Sequence, residues 1–166
     1  MQFWDSAALL PLVVRQPPFS DRCRRAFRRD VPRAVAFLAR VECRSAVERL
    51  AREGALNAAA RRRALMKIDK LLAAFDIVAF SGDVETHALA LLGRYPLRSL
   101  DALQLGCALS LSPHSDTDLR ADLVCCDRRL AEAAVERGHR RLPDGRPGWA
   151  RRAVRAIKVE FVLQAG

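Results

Sequence analysis

The chain has 166 residues, enough for one domain with a substantial core, and 51% of them are hydrophobic in periodic blocks, which excludes a disordered chain. No apolar run approaches the roughly 20 residues of a membrane span, and Met1-Gln2-Phe3-Trp4-Asp5 lacks the basic segment and cleavage site of a signal peptide, so a cytoplasmic protein is expected. The formal net charge of +10 is carried almost wholly by arginine, which suits polyanions and phosphate, although solvated arginine-rich helix faces would give the same total.

In chain order, helical blocks alternate with short apolar runs, the pattern of an α/β fold with a parallel sheet. A first strand is expected over Gln2 to Trp4, ending at Asp5, then a helix from Ser6 to about Val13 in which Pro11 should kink or shorten the element. A second helix follows over Ser20 to Arg29. Ala34 to Leu38 is a strand candidate leading into a helix through Glu42 to Glu53. Gly54 ends that helix, and Asn57 caps a long one reaching Phe75. Ile77 to Phe80 is the third strand. Helices over Asp83 to Arg94 and Leu100 to Leu111 come next, the latter with Ser99 as its N-cap, and then a polar loop from Pro113 to Arg120. Leu123 to Cys126 is the fourth strand, ending at Asp127. A helix from Arg128 to Arg137 stops at Gly138, and a short fifth strand is placed near Arg140 to Leu142. Pro143-Asp144-Gly145-Arg146-Pro147-Gly148 reads as a linker and Trp149 to Gly166 as a basic amphipathic tail, so the domain is placed at residues 1–142 and the linker and tail at 143–166.

The five cysteines (Cys23, Cys43, Cys107, Cys125, Cys126) form no C-x-x-C pair and have no histidine at zinc spacing, so they read as small buried hydrophobes. The arginines cluster. Seven fall between Arg15 and Arg33, against Asp21 and Asp30; Arg61-Arg62-Arg63 is a second group, and Arg151, Arg152 and Arg155 a third.

Asp5 and Asp127 stand at the carboxyl ends of expected strands, where open parallel sheets bind ligands. Asp101 opens a helix. Glu42 lies early in another, beside a buried stripe of Cys43, Val47, Leu50 and Ala51, with Ser45 and Arg49 on its own face. Four carboxylates in one cleft repel unless a cation sits among them, and hard oxygen donors suit Mg²⁺ or Mn²⁺, which can activate water against phosphorus. Each acid also has an ordinary structural account: Asp5 and Asp127 as helix N-caps, Asp101 as a first-turn acid favoured by the helix dipole, Glu42 as an exposed helical residue.

Four segments then point one way. Asp5-Ser6-Ala7-Ala8-Leu9-Leu10 resembles the opening of PIN domains, where a strand ends in Asp followed by Ser or Thr. Val41-Glu42-Cys43-Arg44-Ser45-Ala46-Val47-Glu48-Arg49-Leu50 resembles the helix carrying their second acid. Leu97-Arg98-Ser99-Leu100-Asp101-Ala102-Leu103-Gln104-Leu105 resembles the L-R-x-x-D-A-L-x-L segment of VapC-type toxins. Asp122-Leu123-Val124-Cys125-Cys126-Asp127-Arg128-Arg129-Leu130 is similar to the last motif of that family. The resemblance runs from about Gln2 to Leu142. It implies an α/β/α sandwich around a mostly parallel sheet and Mg²⁺- or Mn²⁺-dependent endoribonuclease cleavage of RNA. It also implies Asp5, Glu42, Asp101 and Asp127 as catalytic metal ligands with Ser6 in support. A cognate antitoxin partner and homodimerisation are common in that family. The chain departs from the pattern at Cys125, where many relatives carry Thr, and in the tail after Leu142. On this reading Arg24 and Arg28, one turn apart, are expected to border the RNA path.

Competing families fit less well. A receiver domain has adjacent acids after its first strand and a late lysine, and a phosphatase of the haloacid dehalogenase kind needs a second Asp where Ala7 stands. The alternative of another class is a non-catalytic PIN-like module that binds RNA or protein, for which four mutually repelling carboxylates have no use.

Overall fold

The computed structural model describes residues 1–17, 19–111, 121–135 and 158–161. Five parallel strands form one sheet in the order β3-β2-β1-β4-β5: β1 (Gln2–Trp4), β2 (Arg33–Ala36), β3 (Asp76–Val78), β4 (Asp122–Cys125) and β5 (Lys158–Phe161). Around them run α1 (Ser6–Val13), α2 (Phe19–Phe27), α3 (Ala39–Arg52), α4 (Ala58–Leu72), α5 (Gly82–Leu92), α6 (Ser99–Ser110) and α7 (Arg128–Val135).

Strand alternation builds the two outer layers. Phe3, Ala34, Ala36, Leu123 and Cys125 point to one face and pack against residues of α5, α6 and α7; Trp4, Val35 and Val124 point to the other, against α1 to α4. The expected α/β/α sandwich is thus the observed one. Trp4, fully buried, stacks edge-on against Phe27 (5.9 Å) and Phe75 (6.1 Å), tying the start of the chain to α2 and to the turn before β3. On the opposite layer α6 lies close against α5. A Cβ on Gly106 would stand 2.8 Å from the Val84 carbonyl oxygen, so only glycine lets α6, with Asp101 and Gln104, come this near.

β1 and α1 fall where the sequence places them, and α1 continues through Pro11 to Val13 without stopping early. Asn57 caps α4 through Oδ1, which accepts from the Ala60 amide at 2.8 Å, and Gly54 takes φ +76° after α3. Several boundaries differ. α4 ends at Leu72 because Ala73 to Phe75 turn to deliver β3, which begins at Asp76, one residue before the expected strand, and stops at Val78. α2 ends at Phe27, leaving Arg28 and Arg29 beyond it, and β2 runs from Arg33 to Ala36 where Ala34 to Leu38 was expected. Ser99 is the first residue of α6, with Arg98 in the N-cap position assigned to Ser99. The polar loop from Pro113 to Arg120 and the strand placed near Arg140 to Leu142 lie outside the described residues. The fifth strand that is described is Lys158–Phe161, paired with β4 (Asp122↔Lys158 to Cys125↔Phe161). That pairing sets a piece of the segment read as a separate tail at the edge of the sheet, a non-local contact that local composition does not encode.

Candidate functional site

Strand order reverses at β1: β2 and β3 lie on one side and β4 and β5 on the other. Just beyond the carboxyl ends of β1 and β4, at this switch point, stand Asp5 and Asp127, the place where open parallel sheets leave a crevice. Asp5 is held there by its own amide, which donates to the Val124 carbonyl at 3.0 Å, and its side chain is buried.

The structure brings the four acids into one electrostatic neighbourhood. The Asp5 carboxyl is raised from 3.8 to about 7, first by burial, then by the negative charges of Glu42, Asp101 and, more weakly, Asp127. The Ala7 amide offsets part of the rise, although its geometry falls short of a capping bond. Two buried thiols feel the same field. Cys43 is pushed up to about 12 by burial, then by Glu42 and Asp5; Cys125 is pushed up to about 12 by burial, then by Asp5 and Asp127. Cys125, at the position where the resemblance favours Thr, is therefore a neutral thiol, directed at the Asp127 carbonyl oxygen 3.8 Å away.

The acids are held in different ways. The Ser6 hydroxyl donates to Glu42 Oε2, and so does Gln104 Nε2, which also donates to Ser6 Oγ at 2.9 Å. Asp127 Oδ1 accepts from the amides of Arg129 (2.8 Å) and Leu130 (3.2 Å), capping α7, and Asp101 Oδ2 accepts from the Arg98 amide at 3.4 Å across the first turn of α6. The structural accounts of Asp101 and Asp127 as first-turn and capping residues thus hold alongside their place in the cluster. With two acids drawn towards their own helix ends, no three Asp, Glu, His or Cys side chains among the described residues gather tightly enough to ligate one ion directly as they stand.

The donor set nonetheless fits a hard divalent cation. Mg²⁺ takes one or two carboxylates and keeps several waters, and the Asp5 carboxyl is raised to about 7 by burial first and then by the acids around it. Among the described residues the arginines paired with acids lie elsewhere, as in Arg40 and Arg44 with Asp69 and Arg61 with Glu48. A buried acceptor, Gln104 Oε1, also lacks a partner among the described residues.

Arg24 is exposed and pairs with Asp21 at 3.3 Å; Arg28 is exposed just past the end of α2. Their helix reaches the cluster's edge, since Cys23 Sγ lies 3.7 Å from Sγ of Cys126, the neighbour of Asp127. Sequence reasoning missed this contact between residues far apart in the chain. It missed Gln104 as well, for which no sequence signal existed beyond its position three residues after Asp101, on the same helical face.

The PIN domain family model matches residues 3–136 of the chain. No curated protein matches it. Among solved structures, a chain of the VapBC2 assembly from Rickettsia felis, bound to a DNA fragment from their promoter, superposes with a TM-score of 0.59 at 12% identity, covering 96% of this chain and 97% of that one. A chain of a toxin–antitoxin complex from Klebsiella pneumoniae superposes with a TM-score of 0.57 at 17% identity, covering 79% and 91%. At such identities these matches show the fold.

Proposed function

Because this chain belongs to the PIN domain family, we propose that it is a metal-dependent endoribonuclease that cleaves RNA phosphodiester bonds and acts as the toxin of a toxin–antitoxin pair. The observation that carries the enzymatic reading is the buried Asp5 carboxyl, raised to about 7 by burial and by three further acids at the switch point of the sheet. A binding module has no use for that unfavourable arrangement. The likeness to chains of toxin–antitoxin complexes supports a cognate antitoxin as the protein partner.

Asp5, Glu42, Asp101 and Asp127 would hold Mg²⁺ or Mn²⁺, with the Ser6 hydroxyl in support. The cation supplies Lewis acidity and neutralises charge that builds on the phosphodiester. The protein's own part is orientation. Ser6 and Gln104 both donate to Glu42 Oε2 and would orient this carboxylate for the cation. The N-termini of α6 and α7 fix Asp101 and Asp127 at the rim. Arg24 and Arg28 border the RNA path on the α2 side.

The test is incubation of purified protein with structured RNAs, with and without Mg²⁺ or Mn²⁺, beside Asp101→Asn. Cleavage that needs the ion and falls to background in Asp101→Asn is the expected result. Cleavage that survives chelation, or that Asp101→Asn leaves undiminished, overturns the assignment.

A further inference from the structure

Building on the reading of the acidic cluster as a cation site, we propose that Gln104 is its positioning residue. Its amide nitrogen fixes the Glu42 carboxylate and the Ser6 hydroxyl, and so sets the geometry in which Glu42 would meet the cation.

Gln104, Ser6 and Glu42 come from α6, α1 and α3 and close a triangle of side-chain hydrogen bonds: Gln104 to Glu42, Gln104 to Ser6 (2.9 Å) and Ser6 to Glu42. The nitrogen end of Gln104 faces Glu42 and Ser6, to which it donates. The oxygen end is then committed to the other branch of the same carbon, and it is buried with no partner among the described residues. Gln104 itself is only 2% exposed. A side chain needed here for packing alone would be apolar, because a buried acceptor left unpaired is unfavourable and native proteins rarely keep one. Asp101 and Gln104 lie one turn apart on α6, so the helix that brings an acid to the cluster also brings the group that orients another acid.

The decisive measurement is Mn²⁺ affinity by titration calorimetry, read together with the melting temperature of the metal-free protein, for Gln104→Met and Gln104→Leu. Both variants keep the volume and remove the donors. Supporting groups of this kind change metal affinity by about 10–100-fold, so each variant should bind Mn²⁺ more weakly by that factor. The metal-free melting temperature reports the cost of losing the bonds to Glu42 and Ser6; a purely structural role would lower it and leave the affinity of the folded variant alone. Wild-type affinity in a folded variant overturns the role of Gln104 while leaving the cation site standing. If wild type itself binds no Mn²⁺, the cation site and this role fall together. If neither variant folds, Gln104 is a structural residue and the proposal fails.

Discussion

The inner and outer halves of the acidic cluster are stabilised by different means. The inner half pairs buried Asp5 with Glu42, which is half-buried as Asp101 and Asp127 are. Asp5 is buried, makes no capping bond and carries a raised carboxyl; Glu42 is held by two side chains from other helices. Asp101 and Asp127 lie at the rim and are answered by the amides of their own helices, α6 and α7. A carboxylate at a helix N-terminus is locally content, and its presence says nothing about a ligand. A buried carboxylate set among three others is not content, and the Ala7 amide offsets only part of its cost. The inner half is what separates a site from a set of caps.

The largest effect on stability should come from Asp5. Its folded value of about 7 stands above the unfolded 3.8, so between those values the folded state holds more of the proton. This contribution to stability is therefore complete below about pH 4 and is lost as pH rises through about 7. The shift corresponds to roughly 4 kcal/mol as a ceiling. In chelator-treated protein, the melting temperature should fall across this window. Asp5→Asn should flatten that dependence and stabilise the metal-free protein at pH 8. Saturating Mg²⁺ should also recover stability in wild type, by about 2.7 kcal/mol at a hundredfold excess over Kd, and far less in Asp5→Asn. A variant that keeps the wild-type pH dependence would mean that the inner half is no more strained than the outer.

Asp127→Ala tests the outer half and should have the opposite sign. It removes the acceptor for the Arg129 and Leu130 amides, and loss of such a cap costs about 1 kcal/mol. Urea denaturation of the metal-free protein should show destabilisation by that amount, even as repulsion on Asp5 is relieved slightly, since Asp127 is the weakest of the three charges acting on it. Stabilisation comparable to that of Asp5→Asn would erase the distinction between the halves.

Much of this was legible in the sequence because it is local. Gln2 to Trp4 followed by Asp5 and Ser6 gives strand, acid and helix within a few residues, and Asn57 and Gly54 punctuate their helices as their chemistry dictates. That Glu42, Asp101 and Asp127 all act on Asp5 is what placing them at strand and helix ends of a parallel sheet leads one to expect. What local pattern could not supply was pairing across distance. The edge strand Lys158–Phe161 finds β4 across a long connection, Cys23 meets Cys126, and Gln104 reaches Glu42 and Ser6 from a position that no motif marks. Alternation could not fix the start of α6 either, since Ser99 is a good N-cap by type yet Arg98 occupies that place.

The smallest expected effect lies outside both halves, on the arginines of α2. Cys23 brings this helix against Cys126, beside the outer acid Asp127, so Arg24 and Arg28 are candidates to bind phosphates of an RNA strand that enters over the rim. Arg24 already pairs with Asp21, an exposed ion pair of little strength that phosphate can displace. Phosphate contacts release counterions, so RNA binding by Asp101→Asn should weaken linearly in a log–log plot against salt. Replacing both arginines with glutamine in that background should flatten the slope by about one unit per lost contact. Base preference should stay as it was, because phosphate contacts position RNA without reading it. An unchanged slope would assign this face of α2 to a protein partner or to solvent, and would place the RNA entry on another side of the rim.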